Sequence, residues 1–480
     1  MIARTIDEGG RGLLTDSRPM IEAPGSVQMK RYRAGTLLLA SALLLAQGLV
    51  AAELRVPHLN FTDQRLENGL RVIIAPDHTA PVFAIAVTYN VGSHSEHPGR
   101  TGFAHLFEHM MFQGSKNVGK GEHMILIENN GGDMNGTTNE DRTNYFEMLP
   151  KNQLDLALFL ESDRMRSLAV NQANLNNQRN AVQEERRLGI DNQPYGKAYL
   201  EIDNLAYDNF AYKHSVIGSM ADLNAATVSD VQNFFRIYYA PNNAVLTLVG
   251  DLDPAEALQS VKKYFGDIPS QPAPPKPDLT EPEHFGERRE TMMDPLARLP
   301  MVLMAFHTPP GNTADNYALQ VLASILSTGE SSRLYQHLVK EKQLATSVEV
   351  QADARTGDSL FYLLAMPRPG VKPEDVEKAA EDEIAAVKKD GVTAAEMDKA
   401  RAQFRRQQIQ ERQSDLFTAI RIGEYAVKFN DPDLINTIFD KFDSVTAAQV
   451  KAVAEKYLVP QAQAIVIDLP AEQQITAASR

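Results

Sequence analysis

The first clear pattern of hydrophobic and polar positions lies between residues 65 and 91. Arg65–Glu67 and Leu70–Ala75 flank the pair Asn68-Gly69, and a third apolar stretch, Val82–Val91, follows. An Asn-Gly pair between two such segments is the strongest short-range signal of a β-hairpin. The pattern therefore predicts three consecutive strands near the start of the globular part of the chain.

Two stretches that lie 219 residues apart share one pattern, which is a capped amphipathic helix, a proline turn and a strand. Thr, Val, Tyr and Pro recur at equal spacing in both, as Thr227, Val231, Tyr238 and Pro241, then as Thr446, Val450, Tyr457 and Pro460. The predicted strands are Ala244–Gly250 and Gln463–Leu469. Self-similarity at this separation indicates a duplicated domain.

In each copy the strands come as hairpins and the helices follow, which is typical of an α+β fold. We predict two homologous domains, each an antiparallel-rich sheet with helices packed on one face. A Pro-rich segment marks the boundary, so the predicted limits are 53–265, a linker at 266–284, and 285–480. The roughly 430 residues after position 52 also exceed what one hydrophobic core usually organises.

The N-terminal residues have the pattern of an export signal. Residues 1–28 show no periodicity and no apolar core, and we interpret them as an over-extended start. Residues 29–52 combine a basic stretch, an apolar run from Ala34 to Val50, and the small residues Ala51 and Ala52. This predicts a signal peptide and a periplasmic protein. No second apolar run follows, so we expect no stable membrane anchor.

The charge balance narrows the classes of partner. Residues 53 to 480 hold 42 Lys and Arg against 58 Asp and Glu, a net charge of −16. So acidic a chain has no electrostatic reason to bind nucleic acid or an anionic membrane. The absence of cysteine excludes disulfides and a thiol nucleophile, and is compatible with an exported bacterial protein of this size. No Trp and 7% aromatic residues argue against a carbohydrate-stacking site.

The candidate chemistry lies in the H-x-x-E-H motif His105–His109, inside an apolar segment. Four-residue spacing puts both imidazoles on one helix face, where neutral nitrogens can share a zinc ion. Glu108 projects toward the same ion and can take the proton of a water that zinc has acidified, which is the chemistry of peptide hydrolysis. A buried helix with two satisfied histidines is the alternative. Two His and a Glu on so apolar a helix are costly, however, unless a metal pairs with them.

A catalytic zinc usually keeps three protein ligands, and the predicted helix over Asn174–Asp191 offers Glu184 and Glu185. With these residues the chain resembles the pitrilysin/insulinase family of inverzincins, in which a glutamate ligand follows the motif by about 75 residues. Glu185 lies 76 positions after His109 and three after a valine, as in the family. The resemblance implies that His105, His109 and Glu185 bind Zn²⁺ and that Glu108 is the general base.

Helix geometry agrees with that choice, because Glu184 points about 100° away from Glu185. The family usually carries a glutamate seven residues before the ligand. This chain has Gln178 there, so we expect the orientation of Glu185 to depend on a neutral amide.

Alternation in Asp133–Thr138 and Thr143–Met148 predicts two further strands joined by a short polar turn. By the pattern alone this is an ordinary hairpin. In the family, the first of these strands is an edge strand, and the substrate pairs beside the residues that here are Asn135 and Gly136. Other positions that follow the family pattern are Gly92, Ser93, Glu96, Gly102, Gly114, Ser115, Asp141, Thr143, Tyr145 and Pro150.

The second predicted domain departs from the family. Counting 219 residues from the motif reaches Ser324–Thr328, which holds no metal ligand. The family's second domain supplies an Arg and a Tyr that grip the substrate, in a segment resembling L-R-x-x-x-x-L-x-Y. Here those positions are Val339 and Thr346, while Arg333 and Tyr335 fit the preceding stretch and are interpreted as structural.

These observations predict the zinc-bearing subunit of an exported endopeptidase that acts on peptides or unfolded polypeptides. It would form a heterodimer with a homologous zinc-free subunit that supplies the Arg/Tyr pair, much as processing-peptidase subunits divide the labour. The implied fold is that of processing peptidases and LuxS-like metallohydrolases. The alternatives are a non-enzymatic assembly or core-type subunit, which would usually lose the zinc ligands, and a zinc store or peptide chaperone, which would not need Glu108.

Overall fold

The computed structural model describes residues 56–282 and 286–471. The predicted over-extended start (1–28) and signal peptide (29–52) lie outside these residues. All strands and helices named below belong to one compact unit that begins at His58. Within the described ranges, no helix is both long and apolar enough to span a bilayer.

The strands before residue 266, in the part of the chain called here the first half, form one six-stranded sheet. They are β1 (Thr62–Arg65), β2 (Arg71–Pro76), β3 (Val82–Tyr89), β4 (Asp133–Thr138), β5 (Thr143–Pro150) and β6 (Ala244–Gly250). Their order is β1-β2-β6-β3-β5-β4, and only the pair β2 and β6 is parallel. Strand β4 therefore lies at an edge of this sheet. Gly69, with a φ of +90°, makes the predicted turn between β1 and β2.

Within the described residues, the first half also contains nine α-helices. They are α1 (Phe103–Met110), α2 (Glu122–Asn129), α3 (Leu154–Ser167), α4 (Gln172–Arg186), α5 (Gly196–Ala206), α6 (Phe210–Lys213), α7 (Met220–Ala225), α8 (Val228–Tyr238) and α9 (Pro254–Phe265). A π-helical turn, Arg187–Asp191, continues α4.

The second half, from Gly286 onward, repeats this plan with one strand fewer. Its strands are β7 (Arg288–Asp294), β8 (Met301–Thr308), β9 (Ala345–Ala352), β10 (Ser359–Pro367) and β11 (Gln463–Pro470). Their order is β7-β11-β8-β10-β9, again with one parallel pair, β7 and β11. Its helices are α10 (Ala314–Ser327), α11 (Pro373–Asp390), α12 (Ala394–Glu411), α13 (Asp415–Lys428), α14 (Leu434–Asp443) and α15 (Ala447–Tyr457), with a π-helical turn at Tyr335–Glu341.

The sequence repeat has the same structure in both halves. Thr227 and Thr446 cap α8 and α15 through capping boxes, and β6 and β11 follow. Each of these strands has one parallel and one antiparallel neighbour. When the two strand orders are aligned on β6 and β11, β9 occupies in the second sheet the edge position that β4 occupies in the first. The predicted α+β class with antiparallel-rich sheets is confirmed.

Each sheet also receives a helix from the other half, which the sequence did not predict. Helix α13 packs on β3 and β6, opposite the face that carries the main core of the first half. Helix α5 packs on β8 and β11 and buries Ala198 and Ile202 against the second sheet. Gly423 allows the close approach of α13, because a Cβ there would lie 2.5 Å from Oγ1 of Thr88.

Among the described residues, none from 266 to 282 belongs to a helix or strand. The linker at 266–284 and the domain limits of 53–265 and 285–480 stay predictions.

Candidate metal centre and active site

The start of α1 is fixed by a buried carboxylate. Glu96 accepts hydrogen bonds from the backbone N–H groups of Gly102 (2.8 Å) and Ala104 (2.7 Å). His214 Nε2 lies 2.9 Å from the same carboxylate. Gly102 has a φ of +83°, a left-handed conformation that favours glycine. A carboxylate on otherwise unpaired N–H groups stabilises a helix start, so Glu96 determines where this helix begins.

The apolar side of α1 determines which residues face outward. Phe103, Leu106, Phe107 and Met110 are buried in the core of the first half, where Phe107 packs against the Tyr239 ring at a centroid distance of 4.1 Å. The side chains of His105, Glu108 and His109 therefore lie together on the opposite side of the helix. The imidazole rings of His105 and His109 are 4.8 Å apart between centroids.

Helix α4 brings Glu185 to these two rings. The Nε2 atom of His105 is 3.7 Å from one carboxylate oxygen of Glu185, and Nε2 of His109 is 3.3 Å from the other. One ligand atom from each of the three residues lies within 4.8 Å of the other two. Two imidazoles and one carboxylate are a donor set that suits catalytic zinc, so the residues present fit the predicted ion.

The protonation states of His105 and Glu185 suit metal binding. Burial, with a smaller contribution from neighbouring His109, lowers the pKa of His105 to about 4, so this imidazole is neutral at neutral pH. Burial alone would raise the pKa of Glu185, but the hydrogen bond from His109 and the two imidazoles lower it overall. A neutral imidazole and an ionised carboxylate are the forms that bind zinc. For His109, burial lowers the pKa, but the carboxylates of Glu185 and Glu108 raise it overall. The Nδ1 atom of His105 is buried without a hydrogen-bond partner in the described part of the chain.

Gln178 contacts a different ligand from the one expected. Its Oε1 atom lies 3.3 Å from Nδ1 of His109, not beside Glu185. An acceptor at Nδ1 favours the tautomer whose Nε2 is free to bind a metal. Glu184 points to solvent and pairs with Arg187 at 3.0 Å, as predicted for a charged surface residue.

Glu108 lies beside the metal-ligand set and is largely buried, with 8% of its surface exposed. Its Oε2 atom accepts a hydrogen bond of 2.6 Å from the hydroxyl of Thr138. Burial raises the pKa of Glu108, and the Thr138 hydrogen bond opposes that shift. A buried carboxylate with a raised pKa is a common feature of general bases.

The residues predicted to dock substrate lie on β4, which pairs with β5 alone among the described strands. Asn135 faces Phe146 and Gly136 faces Tyr145 across that pair. Gly136 is also the neighbour of the candidate base, since a Cβ there would lie 3.3 Å from Oε1 of Glu108. The structure thus brings β4, Glu108 and the three candidate metal ligands together.

The hairpin between β4 and β5 is tied to the second half. Asp141 accepts hydrogen bonds from the Tyr212 hydroxyl (2.7 Å) and the backbone N–H of Thr356 (3.0 Å). Lys428 of α13 lies 3.1 Å from the same carboxylate. Sequence matching included Asp141 without giving it a role, because its partners lie 71 to 287 residues away along the chain.

A second group of metal-type side chains lies inside the first half, formed by His123, Glu147 and Glu161. No spacing in the sequence indicates this group, because its members come from α2, β5 and α3. Arg164 forms a two-point ion pair with Glu161, and His123 Nε2 is 2.5 Å from Glu147. One guanidinium and one proton on Glu147, whose pKa burial raises to about 7, already neutralise both carboxylates. A divalent cation would leave excess buried positive charge, so we interpret this group as structural.

The second half carries no metal-type side chain at Ser324–Thr328, the positions that the repeat indicates. The two positions at which the family pattern has an Arg and a Tyr hold Val339 and Thr346. Val339 is buried, with 7% of its surface exposed. Thr346, on edge strand β9, donates its hydroxyl to the carbonyl of Met366 at 3.1 Å. Arg333 forms a two-point ion pair with Glu396, which fits the structural role predicted for it.

Known proteins were compared with this chain as a whole. Residues 71–217 match the family described as Insulinase (Peptidase family M16), and residues 225–404 match the one described as Peptidase M16 inactive domain. Zinc protease PqqE from Helicobacter pylori is 31% identical over 435 residues, covering 89% of this chain and 97% of that protein.

Solved structures agree. The crystal structure of a protease from Helicobacter pylori has a TM-score of 0.82 at 30% identity and covers 86% of this chain and 100% of its own. The periplasmic protease PqqL from Escherichia coli matches in fold, with a TM-score of 0.71 at 18% identity, over 87% of this chain but 48% of its own. As the motifs predicted, this chain belongs to peptidase family M16, the insulinase family of zinc proteases.

Proposed function

We propose that this protein is the zinc-bearing subunit of an endopeptidase that hydrolyses peptides or unfolded polypeptides. One observation carries the proposal: His105, His109 and Glu185 converge from two helices within 4.8 Å, with Glu108 and an open edge strand beside them. A zinc store would need the three ligands alone. The buried carboxylate of Glu108 next to them favours a hydrolase.

The roles of the residues follow from their chemistry. His105, His109 and Glu185 would hold the zinc ion. When bound, zinc supplies the Lewis acidity that polarises a peptide carbonyl and acidifies a water molecule. Glu108 accepts the proton of the attacking water and can return it to the leaving amine, so one carboxylate serves both transfers.

The edge of β4 supports extended binding of the substrate. A peptide that adds a strand beside Asn135 and Gly136 forms main-chain hydrogen bonds that do not depend on its sequence. Such binding suits a protease of broad substrate range. It also brings a backbone carbonyl of the peptide close to Glu108, because Gly136 is the immediate neighbour of that carboxylate.

The divided-site proposal rests on Val339 and Thr346. A buried valine offers no donor, and the hydroxyl of Thr346 is already directed at a backbone carbonyl. We propose that a homologous zinc-free subunit supplies the Arg/Tyr pair in a heterodimer. That this chain covers only 48% of PqqL, a periplasmic protease, supports the idea that folds of this kind occur in pairs.

Export to the periplasm is part of the same proposal. It rests on the pattern of residues 29–52 and on the acidic, cysteine-free composition of the rest of the chain. The resemblance in fold to PqqL, a periplasmic protease of Escherichia coli, gives it further support.

The competing proposal is a non-enzymatic assembly subunit that kept the fold, and the match of residues 225–404 to an inactive domain favours it to some extent. The segment that matches the inactive domain does not contain the candidate metal ligands. They lie within residues 71–217, which match the peptidase domain itself. A subunit released from catalysis would have no reason to keep all three ligands and the base.

The experiment measures cleavage of a quenched fluorescent peptide by the purified protein, alone and with an Arg/Tyr-bearing homologue. Removing zinc with a chelator should abolish cleavage, and one equivalent of zinc should restore it. Changing the homologue's Arg to Ala and its Tyr to Phe should remove its stimulation. Zinc binding without cleavage under any of these conditions would favour the assembly subunit. Full activity of the isolated chain would contradict the divided site.

A further inference from the structure

The two carboxylate oxygens of Glu108 have different surroundings. Oε2 receives the hydroxyl of Thr138 at 2.6 Å. Oε1 faces Gly136, where the missing side chain leaves space: a Cβ at that position would lie 3.3 Å from Oε1 and 3.1 Å from Cγ of Glu108. One oxygen is therefore held, and the other borders the strand on which substrate is proposed to bind.

Thr138 is itself held in position. It is the last residue of β4 and lies opposite Thr143 of β5. Its hydroxyl is 3.4 Å from the hydroxyl of Thr143, which in turn donates to the carbonyl of Val91 at 2.9 Å. Because strand pairing fixes the backbone at Thr138, its hydroxyl can restrain Glu108 rather than follow it.

Other groups near Glu108 act less directly. Arg142 lowers the pKa of Glu108 through its charge, but its guanidinium donates to the carbonyl and hydroxyl of Thr137. Within the described residues, the hydroxyl of Thr138 is the hydrogen-bond donor to the Glu108 carboxylate. A glutamate carboxylate lies at the end of three rotatable bonds and needs such a restraint to keep one orientation.

We propose that Thr138 is a positioning residue that anchors Oε2 of Glu108, so that Oε1 is the oxygen that takes the proton from the attacking water. The inference deepens the proposed hydrolase and rests on it. General-base transfer requires the accepting oxygen within hydrogen-bond reach of the proton, and small misplacements slow such reactions strongly. Loss of the anchor should lower kcat about 10- to 100-fold and leave KM within about twofold.

The test compares Thr138→Val, which keeps the shape and removes the hydroxyl, with Thr138→Ser, which keeps the hydroxyl. Thr138→Val should lower kcat, while Thr138→Ser should stay within about threefold of the unchanged protein. Zinc content and melting temperature should be the same in all three, which separates positioning from a general loss of structure. In a Glu108→Gln background, Thr138→Val should cause no further loss. A further loss there would mean that Thr138 acts independently of Glu108 and would overturn the inference.

A second readout does not depend on activity. Crystal structures of the zinc-free proteins should show one orientation of Glu108 in the unchanged protein and in Thr138→Ser. They should show a rotated or divided carboxylate in Thr138→Val. If Glu108 keeps its orientation in Thr138→Val, the positioning role is overturned, whatever the kcat of that variant. If Glu108 has moved but kcat is unchanged, the positioning role is overturned as well. If the unchanged protein cleaves no peptide with or without a partner, the proposed function fails, and the crystal structures still decide whether Thr138 anchors Glu108.

Discussion

Replacing Glu185 by Gln should weaken zinc binding about 100-fold, while the same change at Glu184 should have almost no effect. The two residues are neighbours on α4, so the pair of variants differs only in which face of the helix is altered. Glu185 lies 3.3 and 3.7 Å from the imidazole nitrogens of the two motif histidines. Glu184 lies in solvent beside Arg187.

The magnitude follows from the number of ligands. Zinc binding by four-ligand peptides is worth about 10–16 kcal/mol, or about 3 kcal/mol for each ligand. Since about 1.4 kcal/mol corresponds to tenfold in affinity, loss of one anionic ligand should cost about two orders of magnitude. An exposed ion pair such as that of Glu184 contributes at most about 1 kcal/mol to stability and nothing to the metal.

The assay is competition for zinc against a chromophoric chelator, with the melting temperatures of the metal-free proteins as a control for folding. Equal melting temperatures would assign the difference in affinity to the ligand itself. If Glu184→Gln loses zinc and Glu185→Gln keeps it, the helix register proposed for the ligand is wrong. If neither variant changes the affinity, the third ligand lies elsewhere.

Three further predictions concern residues around the site and the core. Gln178→Glu should tighten zinc binding about tenfold in the same competition assay, because a carboxylate at Nδ1 of His109 makes the imidazole a better donor; an unchanged affinity would contradict this. Burial raises the pKa of Glu147 to about 7 from its ordinary 4.5, so its contribution to stability is complete at low pH and is lost as the pH rises from about 4.5 to 7. Glu147→Gln, which stays neutral, should therefore remove a fall of about 1–3 kcal/mol between pH 5 and pH 8 in urea unfolding, and an equal fall in both proteins would refute it. Gly423→Ala should destabilise the protein by about 1–3 kcal/mol, because its Cβ would lie 2.5 Å from Oγ1 of Thr88. Thr88→Ala should restore part of that loss, and additive losses in thermal unfolding would show that the two residues do not clash.

Local patterns were enough to predict several strands and helices of both sheets. The alternation around Asn68-Gly69 predicted β2 and β3, and the repeat predicted α8, β6, α15 and β11. These features depend on residues a few positions apart, where side-chain periodicity and turn chemistry act directly. The convergence of His105, His109 and Glu185 also follows the prediction, because four-residue spacing on one helix and the matched position of Glu185 leave few other arrangements. Their role as zinc ligands stays a prediction.

Features that depend on distant parts of the chain were not predicted. To predict that α5 and α13 each pack on the sheet of the other half, one must know which sheet face each helix covers. The sequence does not indicate this, because each helix would be amphipathic on either sheet. The contact between Gln178 and His109 rather than Glu185 depends on the distance between α1 and α4. The buried group around Arg164 joins three elements, so no spacing in the sequence could indicate it.

We propose that this chain hydrolyses peptide bonds with Glu108 as the base beside a zinc ion. The most direct measurement is the cleavage rate of a fluorescent peptide by Glu108→Gln and by the unchanged protein, each with its partner homologue and with zinc content determined on the same samples. The amide cannot accept a proton, so the account predicts one zinc per chain in both proteins and a rate lower by about 10² to 10⁴ in the variant. Equal zinc content with a near-normal rate would contradict it.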